Sequence, residues 1–388
     1  MCIPLHAKSR FEQHLPMNQP MTPPPLKKPI SFSSDNIVGA SPEVLEALIA
    51  CNAGNTHPYG NDEHTLRVER MFSDIFEREV SVFLVPTGTA ANSLCLATMT
   101  PPWGSIFCHP QAHINNDECG APEFYTSGAK IQVIDGANAK IDPVRLRAAV
   151  RNKVGDVHTV QPSCVSITQA TEAGSVYTGA EIQEIGDICR SAHVRLHMDG
   201  SRLANALVSA DCTLADMTWR AGVDALSFGA TKNGALCAEA IVLFDKTLEK
   251  ELAYRRKRAG HLFSKMRFLS AQMDAYLTDD LWLRNARHAN AMAKRLEDGI
   301  RHLKDVEILA PTKANILFCR MPITLSNSLL AAGFVFYNNR WEPGVVRFVT
   351  SFATDAEDVD RLIAYAKQLA ACPPPDATRH SQAVCLTP

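Results

Sequence analysis

The chain has 388 residues, 46% of them apolar and 21% charged, with a formal net charge of −2 at pH 7. That length supports a large core and two or three packed units, and that composition excludes a disordered chain. The near balance of charge gives no electrostatic basis for a nucleic-acid or anionic-membrane partner, and no run reaches the ~18–20 apolar residues of a membrane span.

Residues 1–31 are rich in proline and basic residues and hold no apolar leader-like stretch, so a disordered N-terminal arm is expected. Ser41-Pro42 with Glu43 and Glu46 predicts a capped helix through VLEALIACN. A second helix is predicted near Glu63 to Glu77, with Leu66, Met71, Phe72, Ile75 and Phe76 at helical spacing. SVFLV (81–85) predicts a short buried strand running straight into TGTAANSLCLATM, a loop entering a helix. Further strands are predicted at 105–109, 130–135, 164–170, 194–199, 225–230 and 238–244, with helical stretches such as AEIQEIGDICRSA between several of them.

This alternation predicts an α/β fold whose mostly parallel sheet is covered on both faces. Beyond Asp245 come the charged KTLEKELAYRRKRAG and longer helices, then NILFCRM, GFVFYN and VVRFVTSF as short strands before a closing helix. A large domain at 32–250, a smaller C-terminal α/β domain at 251–372 and a flexible tail at 373–388 are expected. Twelve cysteines are scattered singly with no C-x-x-C pair. They read as small hydrophobes in a reducing, cytoplasmic setting, with neither disulfides nor a metal site expected.

Three features carry chemistry. Pro86-Thr87-Gly88-Thr89-Ala90-Ala91-Asn92 joins a strand to a helix with small and hydroxyl residues, which suits a phosphate at the helix start. It matches neither a Walker A loop nor G-x-G-x-x-G. Asp199 ends the apolar strand VRLHMD, at the edge of an α/β sheet where ligands collect, and a carboxylate there can hold a pyridinium nitrogen protonated. Lys232 follows the strand ALSFGA in a small-residue turn, where desolvation favours the neutral amine that a Schiff base requires. Cradle, acid and lysine in that order describe a three-point site for a phosphorylated aldehyde ring.

With SSDN (33–36), HPYGND (57–62), PTGTAAN (86–92), QAHI (111–114), HMDGSRLANA (197–206), FGATKNG (228–234) and VVRFVTSF (345–352), the sequence resembles the β-eliminating lyase/threonine aldolase family. These are pyridoxal 5′-phosphate (PLP) enzymes of the aminotransferase fold type I, and within the family the likeness is to low-specificity L-threonine aldolases. The resemblance implies that Gly88 and Thr89 bind the cofactor phosphate, Asp199 the pyridine nitrogen and Lys232 the aldehyde carbon. It implies that His113 stacks on the ring, that Arg202, Arg347 and Ser34 hold the substrate carboxylate, and that Arg202 also nears the ring's phenolic oxygen. It further places His158 near the substrate β-hydroxyl, with His113 as the other candidate base, and Tyr59 close to the site. Thr231 stands where serine is usual, Ser201 where alanine is, and SITQATEAGSV departs from the usual run near the ring.

The activity so implied is cleavage of β-hydroxy-α-amino acids such as L-threonine and L-allo-threonine to glycine and an aldehyde, by a homo-oligomer, a dimer or a tetramer. A phenylserine aldolase and a β-eliminating lyase or aminotransferase on the same fold are the alternatives. A catalytically idle PLP-binding protein is opposed by the intact Lys232 and Asp199.

Overall fold

The computed structural model describes residues 25–210 and 212–371. After a short strand β1 (Ile30–Ser31), seven strands form the central sheet: β2 (Ser81–Val85), β3 (Gly104–Cys108), β4 (Lys130–Val133), β5 (Gln161–Thr168), β6 (Arg195–Gly200), β7 (Ala225–Gly229) and β8 (Glu239–Leu243). Their spatial order is β2-β8-β7-β6-β5-β3-β4. Strand β8 runs antiparallel to both neighbours, and every other pairing is parallel.

Strands β2, β3, β7 and β8 are buried along their whole length, which is why they read as largely apolar runs. Val82 and Leu84 belong to the same core as Ile182 and Ile185 of helix Gly179–Ala192 and Met273 of helix Arg267–Leu277. Phe83 and Val85 point the other way, toward Leu94 and Cys95 of helix Gly88–Met99. The parallel strands all release their chains at one edge, where ligands of such sheets collect. The reversed strand β8 starts at that same edge, with Glu239 opposite both Val85 and Gly229.

The smaller unit comprises β9 (Glu307–Ile308), β10 (Ile316–Arg320), β11 (Phe334–Val335), β12 (Tyr337–Asn338) and β13 (Val345–Val349). Four of them form an antiparallel sheet in the order β12-β13-β10-β9. Its core includes Leu325 and Leu329 of helix Ile323–Ala331 and Val359 and Leu362 of helix Ala356–Ala371.

Two sequence expectations need correction. The last residues of the expected N-terminal arm belong to the smaller unit: the Leu26 amide donates to Ala332 O at 2.7 Å, and β1 pairs in parallel with β11. Just beyond, Phe32 meets Phe348 edge-on at 6.4 Å. Residues 1–24 of that arm and the expected tail at 373–388 lie outside the described residues.

The boundary expected near residue 250 also falls later. Met266, Leu269, Met273 and Tyr276 pack into the large core. The crossing is made inside the single helix Leu281–Ile300, whose Trp282 and Ala286 join the large core while Met292, Leu296 and Ile300 join the small one. The charge in KTLEKELAYRRKRAG marks the solvent face of a helix laid on the large unit through Leu252, not the start of a new domain. No helix among the described residues is long and apolar enough to cross a membrane.

Candidate active site

Lys232 sits in a one-turn helix, Thr231–Asn233, directly beyond β7. Four other segments grip this turn. The Ser41 amide donates to Gly234 O at 2.8 Å. Asn285 Nδ2 donates to Asn233 O at 2.8 Å, and Asn233 Nδ2 donates to Tyr276 Oη at 2.7 Å and Trp282 O at 2.8 Å. Glu239 Oε2 accepts from the Ala230 amide at 2.9 Å. Gly234 takes φ +122°, and a Cβ there would collide with Ser41 Oγ and Asn285 Nδ2, so only glycine closes the turn. The backbone is fixed, while the lysine side chain lines an open cavity of about 450 Å³.

Asp199, at the end of β6, is buried and accepts from Asn92 Nδ2 at 3.0 Å and from the Ser201 amide at 3.0 Å. Burial alone would raise its carboxyl, but the charges of Lys232 and His113 and the hydrogen bond from the Ser201 amide outweigh it and hold the group below its usual value. Asp199 is therefore a buried anion. Beneath it, His197 is clamped between Ser166 Oγ (2.9 Å) and Ser227 Oγ (3.0 Å), and burial lowers its imidazole to about 4, keeping it neutral.

Asn92 ties Asp199 to a second buried acid. Its Nδ2 also donates to Glu118 Oε1 at 2.8 Å, and the same oxygen accepts from His113 Nδ1 at 2.8 Å. The Glu118 hydrogen bond raises the His113 imidazole above its ordinary value, against the effect of burial. With Nδ1 engaged, Nε2 is the nitrogen that His113 has left for the cavity it lines.

Two arginines complete the opposite wall. Arg202 makes a two-pronged contact with Asp35, Nε to Oδ2 at 2.7 Å and Nη2 to Oδ1 at 3.0 Å, both side chains being buried. Asn315 Nδ2 donates to Asp35 Oδ2 as well, at 3.0 Å. Arg347 projects from β13 of the smaller unit. Arg202 Nη1 and Arg347 Nε are buried with no hydrogen-bond partner. An orphaned buried donor costs ~1–3 kcal/mol, so two of them on residues lining one cavity would suit an oxyanion. Burial and then repulsion from Arg202 lower the Arg347 guanidinium, which an incoming carboxylate would relieve.

Ser34 also lines this cavity; its Oγ accepts from the Asn36 amide at 3.1 Å, which leaves the hydroxyl proton free to donate. Gly88 and Thr89 open the helix Gly88–Met99, whose cap is the Thr87 hydroxyl accepting from the Ala90 amide at 3.1 Å. As the first two helical amides they have no intrahelical acceptor, and a Cβ on Gly88 would meet nothing within 4 Å.

One chain thus brings Lys232, His113, Arg202, Arg347 and Ser34 to one cavity, with Asp199 linked to it through Asn92 and Glu118. Two expected residues stand apart. Tyr59 is exposed, under Lys257 Nζ at 4.9 Å from its ring centroid. His158 is exposed and lines a different cleft with Lys130, Gln132 and Lys153. It precedes β5 and so lies at the opposite edge of the sheet from the loops that follow the strands. Its expected place beside the substrate hydroxyl is corrected on that ground for the single chain.

Sequence reasoning missed Asp35, Glu118 and Glu239. Glu118, five residues after His113, had no periodic signal. Glu239 did leave one, as the single acid in the apolar run AEAIVLF.

A family model described as beta-eliminating lyase matches residues 31–322. The chain belongs to the beta-eliminating lyase family. A low specificity L-threonine aldolase of Pseudomonas aeruginosa is 40% identical over 331 residues, which cover 85% of this chain and 95% of that one. The solved structure of a Leishmania major threonine aldolase superposes with a TM-score of 0.83 at 28% identity, covering 88% of this chain and 100% of that one. An aspartate aminotransferase of Rhodobacter sphaeroides, at 15% identity and a TM-score of 0.64, shows the shared fold alone, fold type I. The cofactor of this family member is pyridoxal 5′-phosphate. Its residues fit that group: a buried anionic carboxylate for the ring nitrogen, open helix-start amides for the phosphate, and a lysine on a fixed turn between them.

Proposed function

We propose that this protein cleaves the Cα–Cβ bond of threonine-class β-hydroxy-α-amino acids, giving glycine and an aldehyde. The observation that carries the reading is the pair of unpartnered guanidinium donors, Arg202 Nη1 and Arg347 Nε, beside a cavity shared with Lys232 and His113. The threonine aldolase names of the relatives support it.

Lys232 would hold the aldehyde carbon of PLP, Asp199 its ring nitrogen, and the Gly88 and Thr89 amides its phosphate, with His113 against the ring. When bound, the cofactor supplies an electron sink for the pair released at Cα. The substrate carboxylate docks on Arg202 and Arg347, with Ser34 donating a third hydrogen bond. That fork fixes rotation about Cα and so selects which of its bonds breaks. His113 Nε2 takes the β-hydroxyl proton, and Glu118 steadies the imidazolium that results. The Lys232 amine, once freed by substrate, is placed to return a proton to Cα. We also propose that the working form is a homo-oligomer in the cytoplasm, with Tyr59 and Lys257 turned toward a neighbouring copy.

The test uses purified protein and L-threonine, L-allo-threonine and phenylserine, with glycine and the matching aldehyde quantified. The parent protein should absorb in the visible, and Lys232→Ala should lose covalent cofactor and at least about a hundredfold in kcat. Intact substrates alongside turnover of an amino-group acceptor would replace the aldolase reading with transamination.

A further inference from the structure

Glu239 occupies an unusual place. Strand β8 is the one strand of the large sheet that begins at the cofactor edge, and Glu239 is its first residue. It lies between Val85, which leads into the Gly88 loop, and Gly229, which leads into the Lys232 turn. It is 7% exposed, and the rest of its strand, Ala240 to Leu243, is buried and apolar. Its Oε2 takes the Ala230 amide at 2.9 Å, two residues before the lysine.

Accepting hydrogen bonds from Ala230 and Thr231 does not by itself require a charge. The carbonyl oxygen of a neutral amide side chain can accept such bonds, and a buried carboxylate carries a desolvation cost of roughly several kcal/mol that the fold alone gives no reason to bear.

We propose that Glu239 is a positioning residue for Lys232, fixing the Ala230–Thr231 backbone and giving the lysine–cofactor linkage a buried negative neighbour. This rests on the reading of Lys232 as the cofactor lysine and extends it to what sets the linkage's protonation. Two charged or titratable groups act with Glu239, the Lys232 amine from the turn and the Tyr276 phenol from helix Arg267–Leu277, and Lys232 in turn faces Asp199, Asp35 and His113. Burial pushes the Glu239 carboxyl up to about 7, while hydrogen bonds from Thr231 and Ala230 and the charge of Lys232 hold it from going higher. The group is thus able to ionise when the linkage is cationic. An anion there favours the protonated linkage, so its removal lowers the pH at which the linkage loses its proton.

The experiment is a pH titration of the visible band of holoenzyme for the parent, Glu239→Gln and Glu239→Leu, with bound cofactor measured separately. Glu239→Gln keeps size and acceptor. It should retain full cofactor content while the titration midpoint falls by about one pH unit. Glu239→Leu should show the same fall and lose about tenfold in kcat with little change in KM, as expected when positioning is disturbed. A Glu239→Gln midpoint within about 0.2 unit of the parent, at full cofactor content, overturns the proposal. That result decides the matter even if the leucine variant does not fold. Cofactor that stays covalently attached to Lys232→Ala after borohydride reduction and denaturation would instead remove the reading of Lys232 and the proposal together, and the two failures are distinct in the data.

Discussion

Asp35 and Arg202 neutralise each other through two hydrogen bonds, 2.7 and 3.0 Å, yet the pair leaves Arg202 Nη1, on a residue that lines the cavity, with no hydrogen-bond partner. The acid holds the guanidinium in place without using up its capacity to bind. Asp35→Asn keeps the shape and removes the charge, stranding a buried cation. Urea denaturation of this variant should show a loss of about 3–5 kcal/mol. A change under about 1 kcal/mol would mean that the pair is better solvated than its burial indicates.

The same pair sets an acid limit. Burial would raise the Asp35 carboxyl, but Arg202 overcomes this and holds it at about 2, below its ordinary 3.8. A carboxyl depressed by folding adds stability that is fully present above the unfolded value and is lost as pH falls through the folded one. The contribution, roughly 2 kcal/mol, should therefore disappear between about pH 4 and pH 2. Denaturation midpoints measured across that window should fall more steeply for the parent than for Asp35→Asn.

Glu118→Gln tests the base. The Glu118 hydrogen bond raises His113, and a base works only when unprotonated, so the parent's activity should climb as pH passes the raised value. With the carboxylate gone the imidazole drops, and the acid limb of kcat/KM should move to lower pH. kcat itself should fall by about 10–100-fold because the imidazolium formed in the reaction loses its partner. An unmoved limb would exclude His113 as the titrating group.

His158→Ala should be nearly silent within a chain. The residue is exposed at the far edge of the sheet, where substitutions usually stay within about ±0.5 kcal/mol. Steady-state kinetics with L-threonine should change less than about twofold. A large loss of kcat would show that a second copy carries His158 into this cavity.

Much of the site was legible because its residues follow strand ends. Asp199 and Lys232 close apolar runs that could only be buried strands, and the edge of such a sheet is where a cofactor lies. Gly88 and Thr89 read as a helix start for the same reason. The partners were not legible. Asp35 reaches Arg202 across 167 residues and Asn92 reaches Asp199 across 107, and no local pattern records such contacts. His158 misled because a motif match gives a position along the chain but not the edge of the sheet on which it emerges. The domain boundary was misread for a related reason. A change from strands to helices reports composition, whereas the unit to which a helix belongs is decided by the face it buries.

The helix Leu281–Ile300 works as an axle. Near its start Asn285 holds the lysine turn, and at its other end Leu296 and Ile300 seat the unit that carries Arg347. Each helical residue adds ~1.5 Å and ~100°. A single insertion midway would therefore spin the guanidinium away from the amine, even though neither side chain had changed. This stretch can accept many substitutions on its solvent face but not a change of length, and deletion scanning would find its least tolerant stretch in a helix with no reacting group of its own.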